Sequence, residues 1–252
     1  MKASVTGGEP MRIVVVSSHS EVSVFAARLI GLALREKPAC ALGLAAGETP
    51  RLMYAELVRM HRESGLSFAQ ASAFALDEYL GLAPDNPASF SFYLRRHLLG
   101  QVDFAPRNIH LIDALAPDVS AECARYERHI GACGGIDLQV LGLGQNGHIG
   151  FNEPGTNFMQ GVHHVGLTQA TIAANARHFA DPLQVPRSAI SLGIRNILEA
   201  KKILLLVSGK NKSEALRLAL CGSLDPSVPA SVLQTHPDVT LVADREAASL
   251  LD

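Results

Sequence analysis

LQVLGLGQNGHIGFNEPG, residues 138–155, holds the two features that decide the fold. Leu138–Leu143 is a short, nearly continuous apolar run, and a glycine-rich polar bend follows it at once. An apolar run of that length without polar alternation reads as a strand buried on both faces, which a parallel sheet produces. Runs of the same kind lie on either side in the chain, at Ile13–Val16, Ala41–Ala45, Ser72–Leu76, Ile109–Ile112, Ile203–Val207 and Val239–Ala243. Between them stand segments expected to be helical: Glu21–Glu36, Arg51–Met60, Ser89–Leu99, Ser120–Gly131, Val185–Leu198 and Lys212–Cys221. In the first of these, Val22, Phe25, Ala26, Leu29 and Ile30 follow the period of 3.6 residues. The alternation implies the α/β class, as a three-layer α/β/α sandwich around a mostly parallel, Rossmann-like sheet. Ligands of such sheets sit beyond the carboxyl ends of the strands. The functional residues are therefore expected just after each strand.

The composition bounds the rest. A chain of 252 residues with 48% hydrophobic content supports one large core, expected as a single domain over residues 1–252. A formal net charge of −2 gives no reason to expect nucleic acid or an anionic membrane as partner. The partner expected is a small molecule, and nothing in the sequence fixes whether the chain forms a homo-oligomer. Cys40, Cys123, Cys133 and Cys221 form no CxxC pair and have no histidine at metal-ligand spacing, so reduced thiols and no metal are expected. With no apolar leader or membrane-spanning stretch, the setting expected is cytoplasmic. The polar segment 152–170 breaks the alternation of strands and helices. A loop of that length is expected to serve as a lid, unless it is a small helical excursion.

Three post-strand loops carry residues suited to chemistry. In Ala45-Ala46-Gly47-Glu48-Thr49-Pro50, Thr49 is expected to cap a helix that begins at Pro50. The free N–H groups there suit a phosphate, with Gly47 permitting close approach. Asp77 and Glu78 follow the Ser72–Leu76 strand, either as a base with its neighbour held elsewhere or as a helix cap beside a solvated acid. In the bend after Leu143, Gly142, Gly144 and Gly147 spell GxGxxG. The dinucleotide interpretation fails on context, because Gly150, Pro154 and Gly155 interrupt any helix and no acid follows about twenty residues later. What remains is His148 with Glu153 five residues on, an imidazole and a carboxylate suited to proton transfer. Arg177 and Lys212 are cations suited to a phosphate, or else ordinary surface charges.

Together these segments resemble the glucosamine-6-phosphate deaminase family, within the wider group that includes 6-phosphogluconolactonase. The resemblance is carried by Leu44–Pro50, Phe74–Leu82, Leu141–Gly155, Asn175–Phe179, Val185-Pro186, Ser208–Lys212 and Leu233–Pro237, in family order over nearly the whole chain. Gly147-His-Ile-Gly-Phe-Asn-Glu-Pro154 separates the deaminases from the lactonases, which share the Gly-His step and then diverge. The resemblance implies conversion of D-glucosamine 6-phosphate to D-fructose 6-phosphate and ammonia, with no metal or redox cofactor. It implies Asp77 as the base between C2 and C1, and His148 with Glu153 and Asn146 as the ring-opening group. It also implies Gly47, Thr49, Arg177 and Lys212 around the phosphate, and Glu78, Gly144 and Gly147 about the substrate pocket. Many members carry Asp where this chain has Asn146, which puts a full Asp-His-Glu relay in doubt. The competing expectations are a lactonase, a galactosamine-6-phosphate deaminase and a non-catalytic sugar-phosphate sensor.

Overall fold

The computed structural model describes residues 11–176, 179 and 185–251. Its main sheet has seven strands: β1 (Arg12–Val16), β2 (Ala41–Leu44), β3 (Ser72–Ala75), β5 (Ile109–His110), β6 (Leu138–Gly142), β9 (Lys202–Val207) and β10 (Val239–Asp244). They run β1-β10-β9-β6-β2-β3-β5 and every pair is parallel. Each of the seven apolar runs read from the sequence is one of these strands.

Alternate side chains of the strands serve opposite faces, as the pleat requires. Leu138, Val140, Leu204, Leu206 and Val242 pack with helix α1 (His19–Glu36) and helix α2 (Glu48–Ser64). Leu141, Leu205, Val207 and Leu241 face the opposite layer, formed by α4 (Val119–Ala132), α6 (Ile194–Leu198), α7 (Ser213–Cys221) and the 3₁₀ turn Pro229–Thr235. The fold is thus the expected three-layer sandwich. One polar side chain, Gln139, is fully buried in the central strand, in space left by Gly43 of β2, whose position a Cβ would fill.

A second, smaller sheet was not expected. It joins β4 (Asp77–Tyr79), β8 (Ser188–Ser191) and β7 (His163–Gly166) in the order β4-β8-β7, antiparallel throughout. Three expectations change with it. Asp77 and Glu78 lie on a strand rather than in a loop, with Asp77 in register with Ser191. The segment Val185–Leu198 is not one helix: it is β8 followed by the short α6, because the branched, fully buried Ile190 favours a strand once β4 is there to pair with. The segment 152–170 is neither plain loop nor helical excursion in its later part, which contains β7 and the start of α5 (Gln169–Asn175). A short helix α3 (Phe90–Leu94) continues as a π-helical turn to Leu99.

All four cysteines are free thiols. Among the described residues no helix is long and apolar enough to cross a membrane, and no cluster of His, Cys, Asp or Glu could hold a metal ion.

Candidate active site

The strand order reverses between β2 and β6, and a cavity of about 530 Å³ opens beyond their carboxyl ends. It receives the residues that follow β2, β3, β6 and β9.

One end is built for an anion. Helix α2 starts two residues earlier than the sequence suggested: Gly47, at φ +116°, is the N-cap, and Thr49 lies inside the first turn. Only glycine adopts that backbone at no steric cost, so it displaces threonine from the capping role. No side chain caps the helix, so its first N–H groups remain available to a ligand. Three ring donors hold the carbonyls of this loop: Tyr54 Oη to Ala45 (2.7 Å), Tyr93 Oη to Gly47 (2.5 Å) and His19 Nε2 to Thr49 (3.0 Å). Glu48 also lines the cavity, and its largely exposed carboxylate pairs with Arg51 (3.3 Å). Ser208, Asn211 and Lys212 line the same cavity. Asp244 ties their loop down by accepting from Ser208 Oγ and the Gly209 amide. Arg177 lies outside the described residues.

The wall beside the anion end is apolar and aromatic. Tyr79, Phe90 and Phe151 pack together, with Phe90 and Phe151 stacked at 5.8 Å. Asp77 sits within this wall and lines the cavity, 7% exposed. Burial, with the charge of Glu78 adding to it, pushes its carboxyl up to about 8. Glu78 is not a pocket residue. Its carboxylate turns away and accepts from Tyr79 N, Ser89 Oγ, Phe90 N and Ser91 N at 2.7–3.0 Å, covering the open amides at the start of α3. Of this acid pair, Glu78 therefore takes the capping role, and Asp77 is the carboxylate that faces the cavity.

Across the cavity His148 stands on the glycine-rich bend. An added Cβ at Gly144 would overlap the imidazole at Nδ1 and Cε1, so this glycine makes room for the ring. Gly147, at φ +82°, does not line the cavity; a Cβ there would lie 2.8 Å from Val228 Cγ1. The expected direct orientation of His148 by Glu153 is corrected by an intervening amide. His148 Nδ1 is 2.6 Å from Asn146 Oδ1, and Asn146 Nδ2 donates to Glu153 Oε2 at 2.9 Å. Glu153 Oε2 itself is 3.9 Å from the ring, and Thr171 Oγ1 donates to its other oxygen. Burial holds the His148 imidazole below its usual range; Glu153 opposes this, and Lys212 adds to it. Asn152, fully buried, clamps the end of the bend by donating to the carbonyls of Ile149 and Leu192.

Sequence reasoning missed His19, Tyr93 and Thr171 as cavity residues. His19 follows β1 and was open to the post-strand rule; Tyr93 and Thr171 lie on helices that carry no such signal.

Comparison with known proteins agrees with this geometry. The family described as glucosamine-6-phosphate isomerases/6-phosphogluconolactonase matches residues 18–242. The chain belongs to this family. Members named glucosamine-6-phosphate deaminase include one from Halothermothrix orenii, 47% identical over 96% of this chain and 100% of that protein. Another, from Thermoanaerobacter pseudethanolicus, is 44% identical over 96% of this chain and 95% of that protein. Among solved structures, a monomeric glucosamine-6-phosphate deaminase superposes with a TM-score of 0.93 at 44% identity, covering 95% of this chain and all of the other. The 6-phosphogluconolactonase of Trypanosoma brucei shares the fold, with a TM-score of 0.77 at 20% identity over 98% of this chain and 100% of that one.

Proposed function

We propose that this chain is a glucosamine-6-phosphate deaminase, which converts D-glucosamine 6-phosphate and water to D-fructose 6-phosphate and ammonia. The observation that carries the proposal is the placing of Asp77 and His148 on one cavity whose far end is an uncapped helix N-terminus with Lys212. The names and near full-length identity of the relatives agree with it.

In this proposal the 6-phosphate binds at the start of α2, near Gly47, Thr49 and Lys212, with Arg177 assigned there by its motif. Held at that end, the sugar presents its reacting carbons to the other. His148 opens the pyranose: the O1–H proton leaves as C1=O1 forms, and a proton reaches O5 as C1–O5 breaks. Asp77 then removes the proton from C2 of the open chain while O1 takes a proton from solvent, giving an enolamine, and returns its proton to C1. That leaves an iminium at C2, where water adds and ammonia departs. A carboxylate with a raised pKa is a stronger base than an ordinary one, and each well-placed acid–base group contributes roughly 10²–10⁴ in rate. Tyr79, Phe90 and Phe151 supply the apolar surround that makes Asp77 basic. Segment 152–170 closes over the sugar as a lid, within a single domain, and free thiols and a sugar-phosphate substrate fit a cytoplasmic setting.

The test is ammonia release from glucosamine 6-phosphate, with galactosamine 6-phosphate as comparison and Asp77→Asn as control. Turnover that falls by roughly 10² or more in the variant is expected. A folded wild-type protein that releases no ammonia from either sugar would overturn the proposal.

A further inference from the structure

We propose that Asn146 is a positioning residue that sets the proton arrangement of His148, placing the hydrogen on Nδ1 and leaving Nε2 as a bare lone pair for the cavity. The consequence for catalysis rests on the deaminase proposal above; the proton arrangement itself does not.

Three hydrogen bonds link Thr171, Glu153, Asn146 and His148. Glu153 accepts from both neighbours, the Thr171 hydroxyl on one oxygen and the Asn146 side chain on the other, as a carboxylate does. The amide group of Asn146 that meets Glu153 must then be its NH₂, at 2.9 Å. Its oxygen is left to face the ring, where the backbone N–H of His148 donates to it at 3.3 Å. An amide oxygen only accepts, so the ring nitrogen 2.6 Å away has to be the donor. A neutral imidazole carries one hydrogen, and here it is committed to Nδ1. Were the ring turned to the other tautomer, two lone pairs would face each other at that distance.

The charged groups around the ring do not reverse this. Glu153 reaches it from the far side of Asn146, and Lys212 acts on it from the 3₁₀ turn before α7. Asp77 lines the same cavity from β4. Thr171 of α5, which also lines the cavity, donates to Glu153.

His148 therefore starts the reaction as a base. Nε2 takes the proton from O1–H while C1=O1 forms and C1–O5 breaks, then gives the proton to O5. The ring ends in the tautomer in which it began, so Asn146 need not move in a turnover. An amide oxygen steadies the transient imidazolium less than a carboxylate would, which keeps the proton mobile.

The experiment is ¹⁵N NMR of the histidine rings in the full chain, with His148 assigned among the 10 histidines by its loss in His148→Gln. Expected in the wild type are a pyrrole-type Nδ1 and a pyridine-type Nε2. Asn146→Asp should keep that pattern and raise the midpoint of His148 titration by about one unit or more, as a carboxylate close to a cation does. Asn146→Ala should give mixed tautomers and a kcat lower by roughly tenfold or more, since a wrong tautomer disables a catalytic histidine. A pyrrole-type Nε2 in the wild type overturns the inference, as does an unchanged tautomer and midpoint across all three proteins. If no ammonia is released but the expected tautomer is found, the deaminase proposal falls and the inference stands; ammonia release with the opposite tautomer has the reverse meaning.

Discussion

Replacing Asp77 with Asn should cut activity by roughly 10² or more and make the protein more stable. The buried carboxyl titrates at about 8 in the folded chain against 3.8 when exposed. Because the folded value is the higher one, the stability it lends is complete below pH 3.8 and is lost as the pH climbs towards 8. At 1.36 kcal/mol per unit, the wild type has given up about 4 kcal/mol by pH 7. The amide is close in shape and does not titrate, so it escapes that loss. Its N–H groups must find partners in the apolar wall, which costs about 1–2 kcal/mol. The net gain is about 2–3 kcal/mol at pH 7, a rise in Tm of roughly 5–10 °C for a chain this size. Thermal melts of both proteins from pH 5 to 9, beside ammonia-release assays, measure it. The gap should widen with pH up to about 8 and then level off. A gap that is constant from pH 5 to 8, or a less stable variant at pH 8, would refute the account of Asp77 as a carboxyl strained by burial. The case would also show a site held at the expense of stability.

Two further outcomes are expected. Gly144→Ala should fold normally by circular dichroism yet lose roughly 10² or more in kcat, because the new methyl group displaces the His148 ring; near-normal turnover would show that the ring position is not needed. If segment 152–170 is the proposed lid, saturating fructose 6-phosphate should slow hydrogen exchange at Gly155 and Arg195, whose amides donate to Pro226 and Gln160. Unchanged protection at both would remove the lid proposal.

The main sheet was legible because its inner strands β2, β3, β6, β9 and β10 are buried on both faces and so read as apolar runs, while the edge strand β1 shows the same branched residues although Ile13 and Val15 are half exposed. The smaller sheet was not. Asp77–Tyr79, His163–Gly166 and Ser188–Ser191 are three or four residues long and mix polar with apolar side chains, so their pairing arises from tertiary contact rather than from any local pattern. The site was legible to the level of residue type. His148, Glu153 and Asp77 stood out by their chemistry, but no sequence rule shows that Glu78 turns back to cap α3, or that Asn146 stands between His148 and Glu153. The N-cap was misplaced because Thr-Pro is a stronger signal in sequence than a glycine whose positive φ appears only in the fold.

The register of Asp77 with Ser191 bears on how the protein is made. Between those partners the chain first lays down α3, β5, α4, β6, β7 and α5. A pairing across so wide a sequence separation forms late, after the local contacts that reward chain closure sooner. On the ribosome, much of the parallel sheet therefore has its sequence available before the carboxylate has a strand to hold it. The emerging chain carries Asp77 without its strand partner, and this wall of the cavity is finished only after the later strand has been synthesised.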